Sequence, residues 1–295
     1  MKIVQRIREA VLQNLFLLCA LLSVVTTALI IVVLFKESAP FFATVSLHEF
    51  LTGTDWSPRL EQRYGILPLA CGTFIVAGGA LLVAIPIGLL TAIFLSEYAP
   101  GWFRQVAKPT FEILAGIPSV VYGYFALTVI TPFILKPLFP QTEIFNAASA
   151  AIVVGIMIIP TISSLCDDAF RAVPTSLREA AYALAATRLE VSTRVVLPAA
   201  LSGVVAAVLL GLARAIGETM AVALAAGSLA RLTLNPLQSV QTMTGYIVQV
   251  SMGESAAGTI DYQSIFAVGL TLFLITFGIN IVAQRVLARF REAYE

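Results

Sequence analysis

The sequence predicts an all-α membrane protein with six transmembrane helices. Three observations lead there: an apolar surplus, its segregation into stretches of bilayer length, and basic residues gathered in alternate connections. Of 295 residues, 59% are hydrophobic and 12% are charged. A soluble domain averages about 45–50% apolar and about 25% charged residues. A water-soluble fold of this length has no interior large enough for the excess, so lipid is the remaining solvent. A helical span needs about 20 predominantly apolar residues. Six stretches qualify: 15–35, 66–95, 113–135, 147–166, 199–227 and 265–284. Backbone amides in hydrocarbon must be paired internally, and the stretches lack the alternation of barrel strands, so they are read as helices. A net charge of +1 gives no bulk attraction toward nucleic acid.

In chain order, residues 1–14 form a basic N-terminal segment with Lys2, Arg6 and Arg8. Ile3, Ile7 and Val11 recur every four residues, a pattern that fits a helix on the membrane surface or an extension of the first span. The run 15–35 outlasts the roughly 7–15 apolar residues of a signal peptide, and no small-residue cleavage site follows it. It is read as a retained first span. The external connection 36–65 is polar, with a turn signal at Asp55-Trp56-Ser57-Pro58 and the single histidine, His48. A core of spans occupies 66–284, and 285–295 is a tail. Gly78-Gly79, Pro86, Pro118, Pro132, Gly155 and Pro160 lie inside spans and predict kinks. Cys19, Cys71 and Cys166 all lie in apolar stretches, which makes them packing residues rather than a disulfide framework. No His/Cys group has metal-ligand spacing.

The loops set the orientation. With the N-terminus inside, inner segments carry Lys2, Arg6, Arg8, Arg104, Lys108, Arg171, Arg178, Arg188, Arg194, Arg285, Arg289 and Arg291. Outer loops carry only Lys36, Arg59, Arg63, Lys136 and Arg231. The positive-inside bias therefore predicts both termini in the cytoplasm.

The one long inner loop is 167–198. Pro174 with Thr175 or Ser176 marks a helix start. Leu177, Ala180, Ala181 and Leu184 follow at i, i+3, i+4 and i+7, one helical face. Such a face either rests on its own bundle or docks into a partner's groove. Within it stand Glu179-Ala180-Ala181, Ala185, Val195 and Leu197-Pro198. Their spacing resembles the EAA loop of ABC importer permeases, with Ala185 at the Gly place and Val195 at the Ile place. The resemblance implies a type I (MetI-like) permease bundle. It also implies a coupling helix that sits in a cleft of an ATP-hydrolysing subunit. None of the four lysines, Lys2, Lys36, Lys108 and Lys136, lies in a phosphate-binding loop. The expectation is a non-catalytic subunit that binds no cofactor of its own and relies on ATP used by a partner ATPase.

The fifth stretch contains Arg214, Glu218 and Thr219. Arg214 lies roughly 22 Å along the span axis at about 1.5 Å per residue. A charge at bilayer depth costs about 2.5–3.5 kcal/mol on insertion scales, so it should face protein or water with a partner. Glu218, four residues on, is the predicted partner on the same helical face. Gly203, Ala207, Gly211 and Ala215 form a small-residue ridge beside that face. The pair is either a buried ion pair that fixes helix placement or part of an anion pathway, since a guanidinium suits phosphate through planar paired donors. Glu112 is expected at the cytoplasmic interface, outside that pathway.

The segments Glu112 to Gly123 and Arg214 to Val222, together with the EAA loop, are similar to the permeases of phosphate ABC importers. That similarity implies ATP-binding subunits, a homologous second permease and an external phosphate-binding protein as partners, in a bacterial inner membrane. The alternatives are a permease for molybdate or sulfate, an ion-coupled carrier using Arg214 and Glu218 as a relay, and a non-transporting scaffold or sensor.

Overall fold

The structure, a computed structural model, describes residues 2–254 and 258–290. Among the described residues five helices are long and apolar enough to cross a membrane, and a pair bent by 73° makes a sixth if it counts as one span. In chain order the elements are α1 (Lys2–Thr44), α2 (Leu47–Thr52), β1 (Trp56–Ser57), β2 (Arg63–Tyr64), α3 (Leu67–Tyr98) and α4 (Gly101–Ala115). They continue with α5 (Ser119–Leu138), α6 (Ala147–Ala172), α7 (Thr175–Ala183), α8 (Arg188–Ala199), α9 (Leu201–Ile216) and α10 (Met220–Ala225). The last two are α11 (Met243–Gln249) and α12 (Ile260–Phe290).

The first helix stands apart. Leu17, Leu21, Val24 and Leu29 are exposed, as suits side chains whose solvent is hydrocarbon. Only its far end packs, with Leu34 against Gly269 of α12. The side chains of Lys2, Ile3, Arg6, Ile7 and Arg8, and the tail 291–295, lie outside the described residues.

The connection expected over 36–65 begins as helix, because 36–44 remain in α1 in spite of Pro40. An internal proline costs about 3 kcal/mol or more. Here it is offset by Phe41 and Val45, both buried, each returning about 1.5–3 kcal/mol. These side chains enter an aromatic cluster with Phe50, Trp56, Tyr64 and Tyr246. Its rings meet edge-on, Trp56 with Tyr246 at 4.9 Å and Phe41 with Tyr64 at 5.2 Å. The hairpin β1–β2 pairs Trp56 with Tyr64. The Tyr64 hydroxyl donates to Asp261 Oδ1 at 2.8 Å, tying the hairpin to the start of α12. Burial and then that carboxylate push the Tyr64 phenol above its usual range. Sequence alone read this region as polar and turn-rich; its aromatics become a core only when α11 folds over them.

α6 is the centre of the bundle. Asn146 caps it, accepting from Ser149 N at 2.7 Å. Its backbone lies close to α3: a Cβ on Gly155 would stand 2.9 Å from the Ala80 carbonyl oxygen. The small-residue ridge of α9 packs onto the same helix, Gly203 against Ala169 and Gly211 against Ile162. The ridge therefore closes an internal contact. α6 also runs six residues past the expected end of its span, through Asp167 and Asp168. Both acids pair with α4, buried Asp167 with Arg104 at 2.6 Å and exposed Asp168 with Lys108 at 2.7 Å.

Two of the expected stretches are interrupted rather than kinked; the third crosses as α5 (Ser119–Leu138) alone, with only 113–115 in α4. The third separates into α4 and α5 at 116–118, where Pro118 disfavours helical geometry at Ile117. Glu112 is thus in the last turn of α4, next to a break, instead of at the entry of a span. The fifth separates into α9 and α10 at 217–219.

Candidate functional site

Arg214 is the charged group that the breaks bring together with other spans. Its Nη1 donates to Thr161 Oγ1 on α6 at 3.0 Å, and its Nη2 to the Ala115 carbonyl at 3.3 Å. Ala115 ends α4, so its carbonyl is one of those a helix leaves without an internal partner. A cation at a helix C-terminus is favourable there. Tyr122 of α5 donates to Leu114 O at 3.0 Å and covers the same break. The second break lies alongside, because α5 packs on α10 at Gly123, where a Cβ would stand 3.0 Å from the Ala221 carbonyl.

The predicted Arg214–Glu218 pair does not form. An i, i+4 contact needs an unbroken helix between the two residues. The helix instead ends at Ile216, and Glu218 turns forward to accept from Ala221 N at 3.2 Å, at the start of α10. Its carbonyl accepts from Thr244 Oγ1 at 2.7 Å. Thr219 bonds back to Gly217 O at 3.1 Å. Glu218 and Thr219 shape the break, and among the described residues no carboxylate lies within ion-pair distance of Arg214. A guanidinium carries five N–H donors. Arg214 uses two of them on neutral acceptors, which leaves its full charge and the rest of its fork for another ligand.

The coupling-loop residues fold separately, at the far end of α6. Glu179, Ala180 and Ala181 lie in α7. The face inferred from spacing is split: Leu177 and Ala181 pack on the bundle, whereas Ala180 and Leu184 are exposed. The physical reason is a narrow contact, since the bundle end accepts only one side of a nine-residue helix. The outer side, with Tyr182 and, just past the helix end, Leu184 exposed, has no partner among the described residues.

Beyond α7 the chain turns through Ala185, which has φ +61. Ala186 N bonds to Ala181 O at 3.2 Å and Ala185 N to Tyr182 O at 2.9 Å. This is the helix stop that normally places Gly in the left-handed position. Thr187 and Glu190 then form a capping box that starts α8. Leu197 packs on the core, and Pro198 precedes the 73° bend into α9. The left-handed backbone costs a non-Gly residue roughly 1–2 kcal/mol. Ala185→Gly is therefore expected to leave the loop as stable or slightly more so, by up to about 1 kcal/mol. Ala185→Val should destabilise it by more than about 1 kcal/mol, because a β-branched residue there is a genuine outlier. Thermal unfolding of the purified assembly with each variant measures the difference.

Arg178, beside the Glu-Ala-Ala run, emerges only from the structure. Its guanidinium donates to Phe170 O and Val173 O, each at 2.6 Å, and pairs with Glu97 Oε1 at 3.1 Å. It pins α7 to the end of α6 and to α3. With Arg104, Lys108, Glu112 and Arg171 it lines a cavity of about 870 Å³ at this end of the bundle. An arginine next to Glu-Ala-Ala was the available signal, but neither of its carbonyl partners nor Glu97 is marked by spacing. Thr161 carried no signal beyond being a hydroxyl after a proline in an apolar run.

A multi-pass α-helical bundle with a sharply bent helix pair is the architecture of an integral membrane protein. Residues 84–292 match the family described as binding-protein-dependent transport system inner membrane component, and the chain belongs to that family. It is 38% identical to the probable ABC transporter permease protein YqgH of Bacillus subtilis, over 88% of this chain and 84% of that protein. It is 39% identical to the phosphate transport system permease protein PstC of Xylella fastidiosa (strain 9a5c), over 81% and 78%. The PstC of Haemophilus influenzae is 36% identical, over 82% of each chain. Among solved structures, a bacterial ABC transporter involved in the import of the acidic polysaccharide alginate superimposes with a TM-score of 0.65 at 15% identity. That match covers 97% of this chain and 100% of the other. The MetNI methionine ABC transporter in an inward-facing conformation gives 0.56 at 19% identity, over 77% and 95%. These structural likenesses establish the fold.

Proposed function

We propose that the chain is the permease subunit of an ATP-driven phosphate importer, supplying half of the translocation pathway. The observation that carries this reading is Arg214: a guanidinium at span depth, between two broken helices, held only by neutral oxygens. The similarity to proteins named phosphate transport permeases supports phosphate as the anion. A bare guanidinium attracts an oxyanion, and weak retention allows release. Glu218 acts on the shape of the second break and not as a counter-charge.

In this reading both termini are cytoplasmic and the membrane is the bacterial inner membrane. ATP is bound and hydrolysed by partner ATP-binding subunits, whose cleft receives the exposed side of α7 around Glu179, Tyr182 and Leu184. A homologous permease completes the pathway, and an external phosphate-binding protein delivers the anion. ATP closure moves α7, and Arg178 passes that movement to α3 and α6.

The test is uptake of labelled phosphate into vesicles holding the permeases and ATPase, with binding protein on the receiving side. ATP-dependent uptake that resists excess sulfate and molybdate is expected. Uptake without ATP would make the protein an ion-coupled carrier, and competition by sulfate or molybdate would change the substrate.

A further inference from the structure

Thr161, like Thr131, which accepts from Asn146 Nδ2 at 3.1 Å, departs from the usual pattern of threonines in these helices. Thr73, Thr91, Thr110 and Thr128 each donate to the carbonyl four residues back. That is the ordinary way for a hydroxyl in an apolar helix to satisfy its proton. Thr161 makes no such bond among the described residues. Its oxygen accepts from Arg214 Nη1 at 3.0 Å, which leaves its own O–H without an acceptor there. Thr161 and Arg214 are both partly exposed. The opposite arm of the guanidinium is held by the longer bond to Ala115 O, 3.3 Å. Thr161 therefore makes the shorter of the two contacts that orient the fork.

We propose that Thr161 is a second contact for the transported anion. Its oxygen fixes the orientation of the Arg214 fork, and its O–H donates to an oxyanion seated on that fork. The proposal rests on the reading of Arg214 as a pathway residue. The chemistry is simple: an Arg N–H and a hydroxyl side by side present two donors to two oxygens of one tetrahedral anion. The hydroxyl adds a directional donor without adding charge, so it sharpens the seat without trapping the anion.

The experiment is ATP-dependent uptake of labelled phosphate by the full importer in vesicles. It compares the natural chain with Thr161→Val, Thr161→Ser and Arg214→Gln at equal amounts of assembled complex. Valine keeps the shape and removes the hydroxyl; serine keeps the hydroxyl. Thr161→Val should lower uptake roughly tenfold or more, the effect of losing a hydrogen bond to a charged group. Thr161→Ser should stay within about threefold, a rescue that a packing role would not give. Valine transporting like the natural chain, or serine failing as badly as valine, overturns the proposal. If valine prevents assembly, Thr161→Ala takes its place, since it also removes the hydroxyl, and normal uptake by it overturns the proposal. Arg214→Gln separates the two levels. If it too transports normally, the pathway reading itself has failed. If it alone is inactive, that reading stands and the role of Thr161 is refuted.

Discussion

Replacing Arg214 with Gln is expected to abolish ATP-dependent phosphate uptake, by roughly a hundredfold or more, while the subunits still assemble. Hydrogen bonds to charged groups contribute about 1.5–3 kcal/mol each, so a two-pronged contact is worth about 3 kcal/mol or more. Each 1.4 kcal/mol is about a factor of ten. The expectation of intact assembly comes from the structure. A buried ion pair that loses one member costs about 3–5 kcal/mol, because the other charge is stranded. Among the described residues Arg214 bonds to Thr161 Oγ1 and Ala115 O, so its loss strands no carboxylate there. The measurement is uptake per assembled complex, with co-purification of the subunits as the control. Normal uptake would remove Arg214 from the pathway. Failed assembly would mean that its bond across the α4–α5 break is structural.

Replacing Arg178 with Ala is expected to uncouple ATP hydrolysis from transport. Its side chain is 16% exposed and that of Glu97 only 8%. The substitution leaves a largely buried carboxylate without its cation and two carbonyls, of Phe170 and Val173, without a donor. The cost is of the order of 3–5 kcal/mol, localised where α7 joins α6 and α3. The expected result is faster protease cleavage within 167–198 and severalfold less phosphate moved per ATP hydrolysed. Arg178→Lys should not restore either, since a point charge cannot serve three acceptors in the geometry of a planar fork. Unchanged cleavage and unchanged phosphate per ATP would show that α7 is held by Leu177 and Ala181 packing alone.

Much of the bundle was legible from the chain. The spans 66–95, 147–166 and 265–284 lie within α3, α6 and α12, give or take a turn, because bilayer depth and the pairing of backbone amides leave little choice. The helix in the loop 167–198 was legible as well, since Pro174 and the spacing from Leu177 to Leu184 are local signals. The site was less so. Arg214 stood out by its cost in an apolar run, but its partner was misread. Glu218 lies on the right face of an uninterrupted helix, and the interruption at Gly217 breaks the relation between them. Glycine within a span does not announce whether it will bend the helix or end it.

What the sequence by itself determined is the class of solvent and the apolar stretches that meet it. These follow from the quantity and segregation of apolar side chain, which no tertiary arrangement can change. It also determined where a cation must be sheltered within the membrane. The tertiary structure alone decided which oxygens shelter it. Thr161 and Ala115 are 53 and 99 residues away along the chain. They meet Arg214 because α6 packs against the small-residue ridge of α9 and because Pro118 ends α4 beside it. Contacts between residues so far apart depend on how helices pack and where they break. Neither is encoded in the local periodicity from which the helices themselves were read.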